Sequence, residues 1–134
     1  MSPETKSRDR AMLWTGRALS LIFVLFMAMD IAVKLMVIPP VTESFAQLGF
    51  ADDGLARPIG LIELACVLLY LFPRTWTLGC ILMMGVLGGA MGVHLRAQDP
   101  LASHVLFSVY LGLFMWGGVW LRDARLRAVF PLRR

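Results

Sequence analysis

The chain has 134 residues, of which 58% are hydrophobic and only 16% are charged, and its mean hydropathy is +0.71. Soluble proteins carry about 25% charged residues, so this composition excludes an ordinary soluble domain and indicates an integral membrane protein. The formal net charge of +4 would suit nucleic acid. The arginines, however, flank apolar segments instead of forming one basic face, so we expect the lipid bilayer as partner and no nucleic acid.

Four apolar segments follow one another along the chain and use most of its length. A membrane-spanning helix needs about 20 residues. The predicted spans are residues 18–38, 56–73, 75–95 and 101–121. The sequence therefore predicts a single all-α domain over residues 1–134, an integral membrane four-helix bundle with an outer loop at 39–57 and a basic cytoplasmic tail at 122–134.

The first span follows a polar leader and ends at Pro39 and Pro40. A cleaved signal peptide is the alternative for this segment, but the leader is long and a small-x-small cleavage site is lacking. In the loop that follows, residues 41–50 predict a short interfacial helix, with Thr42 as its N-cap and Gly49 as its stop.

The third span contains nineteen consecutive uncharged residues, 75–93, and is rich in glycine. Gly85 pairs with Gly89 and Gly88 with Gly92 in two GxxxG motifs. Glycine at this spacing lets helix backbones approach closely in lipid. We therefore expect this span to be central, with the other spans packed on it.

The fourth span is predicted to begin with Asp99 as N-cap and Pro100 as the first helical residue. Its far end carries Trp116 and Trp120. The tail after it alternates arginines with apolar residues, which is typical of a segment that lies on an anionic membrane surface.

The distribution of Lys and Arg predicts the orientation. With the N-terminus inside, ten of the 13 basic residues lie on the inner side, and only Lys34, Arg57 and Arg96 lie on the outer side. The positive-inside rule then places both termini in the cytoplasm. The expected location is a cytoplasmic membrane, crossed several times.

The Asp, Glu, Lys and His residues of the predicted spans, together with Arg96 at the outer end of the third span, all fall in the outer half. They are Asp30, Lys34, Glu63, His94, Arg96 and His104. Asp30 and Glu63 would lie about 10–12 Å deep at ~1.5 Å per residue. Asp30 and Lys34 are spaced i,i+4 with the acid first, the favourable order, and Glu63 could share Lys34 or reach Arg96 or His94.

Three interpretations of this group stay open. An ion-pair network could fix helix packing alone. A small polar cavity could handle protons or hold a polar headgroup, since intramembrane ionisable residues are functional by default. The third is a metal or haem site, since His94 and His104 with two carboxylates could hold a divalent metal. The spacing is not diagnostic, and we assign no metal site.

Several motifs along the chain together resemble one family. They are GRxLS from Gly16, the Asp30–Lys34 pair, FAQLGF at 45–50, GLIELACVLLYLFPRT at 60–75, GGAMGVHLRAQDPLASHVLF at 88–107 and YLGLFMWGGVWLRD at 110–123. Over about residues 16–130 the chain resembles the DoxX-like family of small four-span bacterial membrane proteins. The matching polar positions are Asp30, Lys34, Glu63, His94 and His104.

The resemblance implies a four-helix bundle in the bacterial cytoplasmic (inner) membrane. It also implies a link to quinone-coupled sulfur oxidation or to complexes that handle oxidative stress. The chain lacks a thiol pair for sulfur relay, so a reaction centre would come from a quinone or a partner subunit. We therefore expect a redox-accessory subunit that binds a quinone-like or amphipathic ligand. The alternative is a non-enzymatic assembly or scaffold subunit. Enzymatic activity and homo-oligomerisation stay open, and a small transporter is less favoured because four spans enclose a narrow lumen.

Overall fold

The protein is all-helical, as the sequence predicts. The computed structural model describes residues 3–51 and 54–130, and no strand occurs in these ranges. The α-helices are α1 (Pro3–Met36), α2 (Pro39–Gln47), α3 (Ala56–Leu71), α4 (Trp76–Arg96), α5 (Phe107–Arg122) and α6 (Ala124–Val129). A short π-helical segment, Leu101–Val105, precedes α5.

The long helices pack side by side around one apolar core. Helix α1 contacts α3 and α5, and α4 contacts the same two helices. The most deeply buried large side chains come from three of these helices: Phe23, Met27, Met83 and Met115. A smaller cluster forms where Val41 and Phe45 of α2 pack on Ala56 at the start of α3.

The outward faces of the helices are also apolar. Leu21, Leu25, Ile62, Ile81 and Leu113 are all half or more exposed. Water would penalise this exposed apolar surface, whereas lipid chains would cover it. The composition of the surface is therefore that of a membrane protein.

Three helical stretches are long and apolar enough to cross a membrane: Lys6–Met36, Trp76–Arg96 and Leu101–Arg122. They contain most of the predicted first, third and fourth spans. The predicted second span corresponds to α3, which has 16 residues and is only about 24 Å long at ~1.5 Å per residue. Its length alone therefore does not identify α3 as a span.

The expectation that the GxxxG glycines carry helix packing is wrong. Gly85, Gly88, Gly89 and Gly92 are exposed, and a Cβ at any of them would meet no atom within 4 Å. Helix α4 instead approaches α3 closely through Gly79, where a Cβ would collide with the Tyr70 backbone. The sequence motif identifies glycines that permit close packing, but it does not show which face of the helix meets a neighbour.

The loop helix begins earlier than predicted. Pro39 and Pro40 occupy the first turn of α2 instead of only ending α1, and Ile38 is the N-cap in place of Thr42. Proline suits this position because the first helical N–H groups have no intrahelical partner. Helix α2 ends near Gly49, as predicted, and Gly49 has a left-handed φ of +83°.

Candidate functional site

The predicted site residues lie at one end of the helices, which we call the histidine end. Here the last turn of α1 meets the start of α3, and Arg57 Nε donates a hydrogen bond to Leu35 O at 3.3 Å. The start of α5 joins α1 through Phe26 and Phe107, whose ring centroids lie 4.9 Å apart. The helix order therefore brings together residues that are far apart in sequence.

Lys34 lies between two carboxylates and links α1 to α3. Its Nζ is 2.5 Å from Asp30 Oδ2 and 2.6 Å from Glu63 Oε1. The side chains of Asp30, Lys34 and Glu63 are 28%, 17% and 5% exposed. We call these three residues the Lys34 cluster. Both expected partners of Lys34 are present, whereas Glu63 contacts neither Arg96 nor His94.

Glu63 is the most buried member of the Lys34 cluster, and only one of its two carboxylate oxygens has a hydrogen-bond partner among the described residues. Its Oε1 receives the Lys34 hydrogen bond, while its Oε2 is buried and has no partner within the described residues. A buried polar atom without a partner costs about 1–3 kcal/mol and is uncommon in native structures. The Oε2 atom is therefore a place where a proton, a water molecule or a ligand group would be stabilising.

The two histidines form a second group, between α4 and the π-helical segment. His94 Nδ1 lies 2.6 Å from Asp99 Oδ2, and the His94 and His104 ring centroids are 5.8 Å apart. Ser103 Oγ is 2.8 Å from His104 Nδ1. Among the described residues, no hydrogen bond or ion pair joins this group to the Lys34 cluster.

Asp99 was predicted as the N-cap of the fourth span, and this prediction is wrong. The N-cap of the π-helical segment is Pro100, whose ring cannot accept a capping hydrogen bond, and the Asp99 carboxylate pairs with His94 instead. A carboxylate on one ring nitrogen fixes the orientation of a histidine and directs the other nitrogen outward from the pair. Sequence spacing favoured Asp99 as a local cap. Its pairing with His94 depends on the geometry of the turn at residues 97–100, which spacing does not predict.

Arg96 has a structural contact away from both groups. Its Nη2 donates to Leu48 O at 2.6 Å, which ties the end of α4 to the end of α2. The guanidinium also lies against Gly49, where a Cβ would be 3.2 Å from Nη2. Arg96 thus holds α2 over the histidine end.

Metal-ligating side chains do not converge at this end. Within residues 3–51 and 54–130, no three His, Cys, Asp or Glu side chains are grouped to hold a metal ion. Cys66 and Cys80 are buried and unpaired.

Sequence reasoning missed a polar contact at the opposite end, which carries Arg17, Arg74 and Arg122 and which we call the arginine end. There Ser20 Oγ lies 2.7 Å from Tyr70 OH, and both residues are buried. Ser20 and Tyr70 lie at about the same depth in two predicted antiparallel spans. This match in depth was the signal in the sequence that could have indicated the contact.

Comparison with known proteins gives one match. The family model described as the DoxX-like family matches residues 18–118. No curated protein and no solved structure matches the chain. The matched stretch contains every residue of the Lys34 cluster and both histidines, and it covers most of the sequence. The chain belongs to the DoxX-like family.

Proposed function

We propose that this membrane protein is a redox-accessory subunit whose Lys34 cluster binds the polar head of a quinone-like or other amphipathic ligand. The observation that carries the proposal is the unpartnered, buried Glu63 Oε2 beside the Lys34 ammonium. A ligand that offers a hydrogen-bonding head and an apolar tail would satisfy this atom and leave its tail among lipid chains.

The residues at the histidine end suit a ligand that gains or loses protons. Glu63 and Asp30 are carboxyl groups that can exchange a proton, and Lys34 places a positive charge between them. The expected role of His94, oriented by Asp99, is to hydrogen-bond a ligand carbonyl, with His104 beside it. A quinone, when bound, would supply the electron chemistry that the chain's own side chains lack.

Four antiparallel spans are the membrane arrangement we propose. Although α3 is short, it runs beside α1 for its full length: Gly60 at its start lies against Lys34, and Tyr70 at its end reaches Ser20. This pairing supports a complete crossing by α3, and therefore a four-helix bundle with both termini on the same side.

The basic residues support a bacterial cytoplasmic membrane with both termini in the cytoplasm. The histidine end holds three basic residues: Lys34, Arg57 and Arg96. The arginine end and the terminal segments hold the other ten, of which Arg133 and Arg134 lie outside the described residues. This excess of basic residues on one side is the pattern of a cytoplasmic face. A partner redox subunit would then meet this protein within the membrane or at its surface.

A scaffold subunit is the second candidate, and Lys34 favours it. One ammonium held by two carboxylates on different helices fixes the register of α1 against α3. A buried charge network of this kind can specify packing without any ligand. The protein would then act by presenting a surface to a partner, and homo-oligomerisation belongs to the same hypothesis.

The test is to purify the protein in mild detergent and identify by mass spectrometry what an organic extract contains. We expect a stoichiometric quinone or other amphiphile from the wild type, and its loss in Glu63→Gln. Glu43→Gln, on the exposed face of α2, is the matched control and should retain the ligand. An empty wild-type protein that instead co-purifies with a second polypeptide would support the scaffold.

A further inference from the structure

The arginine end contains a separate pocket that the proposed function does not use. A cavity of about 240 Å³ opens between α1, α3 and α5. Its polar wall consists of Arg17, Ser20, Tyr70 and Arg122. Its apolar wall consists of Leu21, Val24 and Leu71. The pocket therefore combines two cationic groups and two hydroxyl groups with a hydrocarbon surface.

The positive charge of this pocket has no counter-charge within the part of the chain that the structure describes. Neither Arg17 nor Arg122 forms an ion pair within residues 3–51 and 54–130, and no lining residue is acidic. The Arg17 guanidinium lies 5.0 Å from the centre of the Trp14 ring. Arg122 Nε donates to Gly118 O at 3.0 Å, which restrains the guanidinium. Arg17 and Arg122 both line this cavity, and two guanidinium-bearing side chains in one cavity favour an anion.

Buried hydroxyl groups keep the base of the pocket in place. Ser20 and Tyr70 are only 7% and 4% exposed. Tyr70 OH lies 2.7 Å from Ser20 Oγ and donates to Met115 O at 3.4 Å. These contacts join α1, α3 and α5 behind the two arginines. The cavity is thus bounded by the packed core and does not depend on a surface loop.

The apolar wall faces outward, where lipid chains would lie. Leu21 and Leu71 are 57% and 54% exposed, and the arginines mark the level at which apolar helix surface gives way to charge. A free phosphate ion would contact the arginines but leave this wall uncovered. Basic pockets between transmembrane helices are known to take anionic lipid headgroups.

We propose that this pocket binds one anionic phospholipid. The phosphate accepts hydrogen bonds from Arg17 and Arg122, and the first methylenes of an acyl chain lie along Leu21, Val24 and Leu71. The bound lipid joins α1, α3 and α5 at the arginine end. This site is independent of the Lys34 cluster, which lies at the other end of the same helices.

Native mass spectrometry of the full chain, released from detergent, tests the proposal. Phosphatidylglycerol and phosphatidylcholine with the same acyl chains are titrated separately. We expect one phosphatidylglycerol per chain to bind about tenfold more tightly than phosphatidylcholine, because both lipids carry the phosphate but the trimethylammonium group of phosphatidylcholine adds a positive charge beside the two arginines. Inorganic phosphate is titrated in parallel, with thermal unfolding as the readout.

The double variant Arg17→Gln and Arg122→Gln should lose this preference. The control is Arg74→Gln with Arg125→Gln, which removes the same charge from exposed positions outside the pocket and should keep it. A second variant, Leu21→Trp, fills the apolar wall and should weaken both lipids while leaving both arginines in place. Circular dichroism and size-exclusion chromatography check that each variant folds.

Three results would overturn the assignment. Equal binding of the two lipids would show that the arginines do not select an anion. An equal loss in the control variant would show that only total charge matters. Stabilisation by inorganic phosphate, without further stabilisation by phosphatidylglycerol, would identify a free anion as the occupant in place of a lipid.

Discussion

Lys34 is the residue that makes the buried carboxylates compatible with an apolar surrounding. It contacts Asp30 on its own helix and Glu63 on α3, so its removal would leave two acidic groups without a counter-charge. Breaking a buried ion pair from one side usually costs more than the pair contributes, because the remaining charge is stranded. This asymmetry makes Lys34 more informative to mutate than either acid.

Lys34→Met should therefore lower the free energy of unfolding by about 3 kcal/mol. The measurement is thermal or denaturant unfolding in mild detergent, and Lys6→Met, on the exposed leading part of α1, is the control. Adding Glu63→Leu to Lys34→Met should recover a large part of the loss, since it removes the most buried stranded charge. If Lys34→Met were as stable as Lys6→Met, the cluster would not be holding α1 against α3.

The residues of the Lys34 cluster could be predicted from sequence, but which of their carboxylate oxygens have hydrogen-bond partners could not. The i,i+4 spacing of Asp30 and Lys34 and the equal depth of Glu63 follow from helix geometry. The unpartnered Oε2 of Glu63 depends on the rotation of α3 about its axis, which spacing does not determine. The Asp99–His94 contact escaped prediction because a local cap was the simpler alternative for an aspartate before proline.

At the scale of helices, close approach occurs at Gly79 and at the crossing of α1 with α5. A Cβ on Gly16 would lie 2.8 Å from Gly118 O, so these two glycines allow α1 and α5 to meet. The GxxxG glycines of α4 face outward instead. Hydrophobic periodicity is weak when both helix faces are apolar, and the sequence therefore predicted the existence of the helices better than their orientation.

Gly79→Ala should destabilise the protein, whereas Gly88→Ala should not. A methyl group at position 79 collides with the backbone of Tyr70, which cannot move aside as a side chain can, and overpacking of this kind costs about 1–3 kcal/mol. At position 88 the methyl group meets open space. The measurement is the unfolding temperature of the two variants in the same detergent. Equal destabilisation would contradict a close contact of α3 and α4 at Gly79.

At the scale of the whole molecule, the two ends differ in chemistry. The histidine end holds the Lys34 cluster, the histidines and α2, whereas the arginine end holds the lipid pocket. The sequence predicted this asymmetry from the positions of charged residues alone. The length of α3 does not by itself support the predicted crossing, because the helix has only 16 residues. The support comes from the pairing of α3 with α1, which is a tertiary property.

The proposed orientation predicts how single cysteines react in intact cells. Glu43→Cys on α2 should be labelled by a thiol reagent that cannot cross the cytoplasmic membrane, and Ser7→Cys near the N-terminus should be labelled only after the cells are opened. Both positions are exposed, and the native Cys66 and Cys80 are buried, so the wild type serves as the unlabelled control. The reverse pattern would place the N-terminus outside.

Infrared difference spectroscopy is the most direct test of a ligand site at Glu63, because it observes the carboxyl group that is proposed to meet the ligand. A short-chain ubiquinone is added to the purified protein, and the carboxyl bands are compared with and without it. A ligand site at Glu63 predicts a carboxyl band that shifts on addition in the wild type and in Glu43→Gln, and that is missing in Glu63→Gln. An unchanged wild-type spectrum, or the same shift in Glu63→Gln, would contradict a ligand site at Glu63.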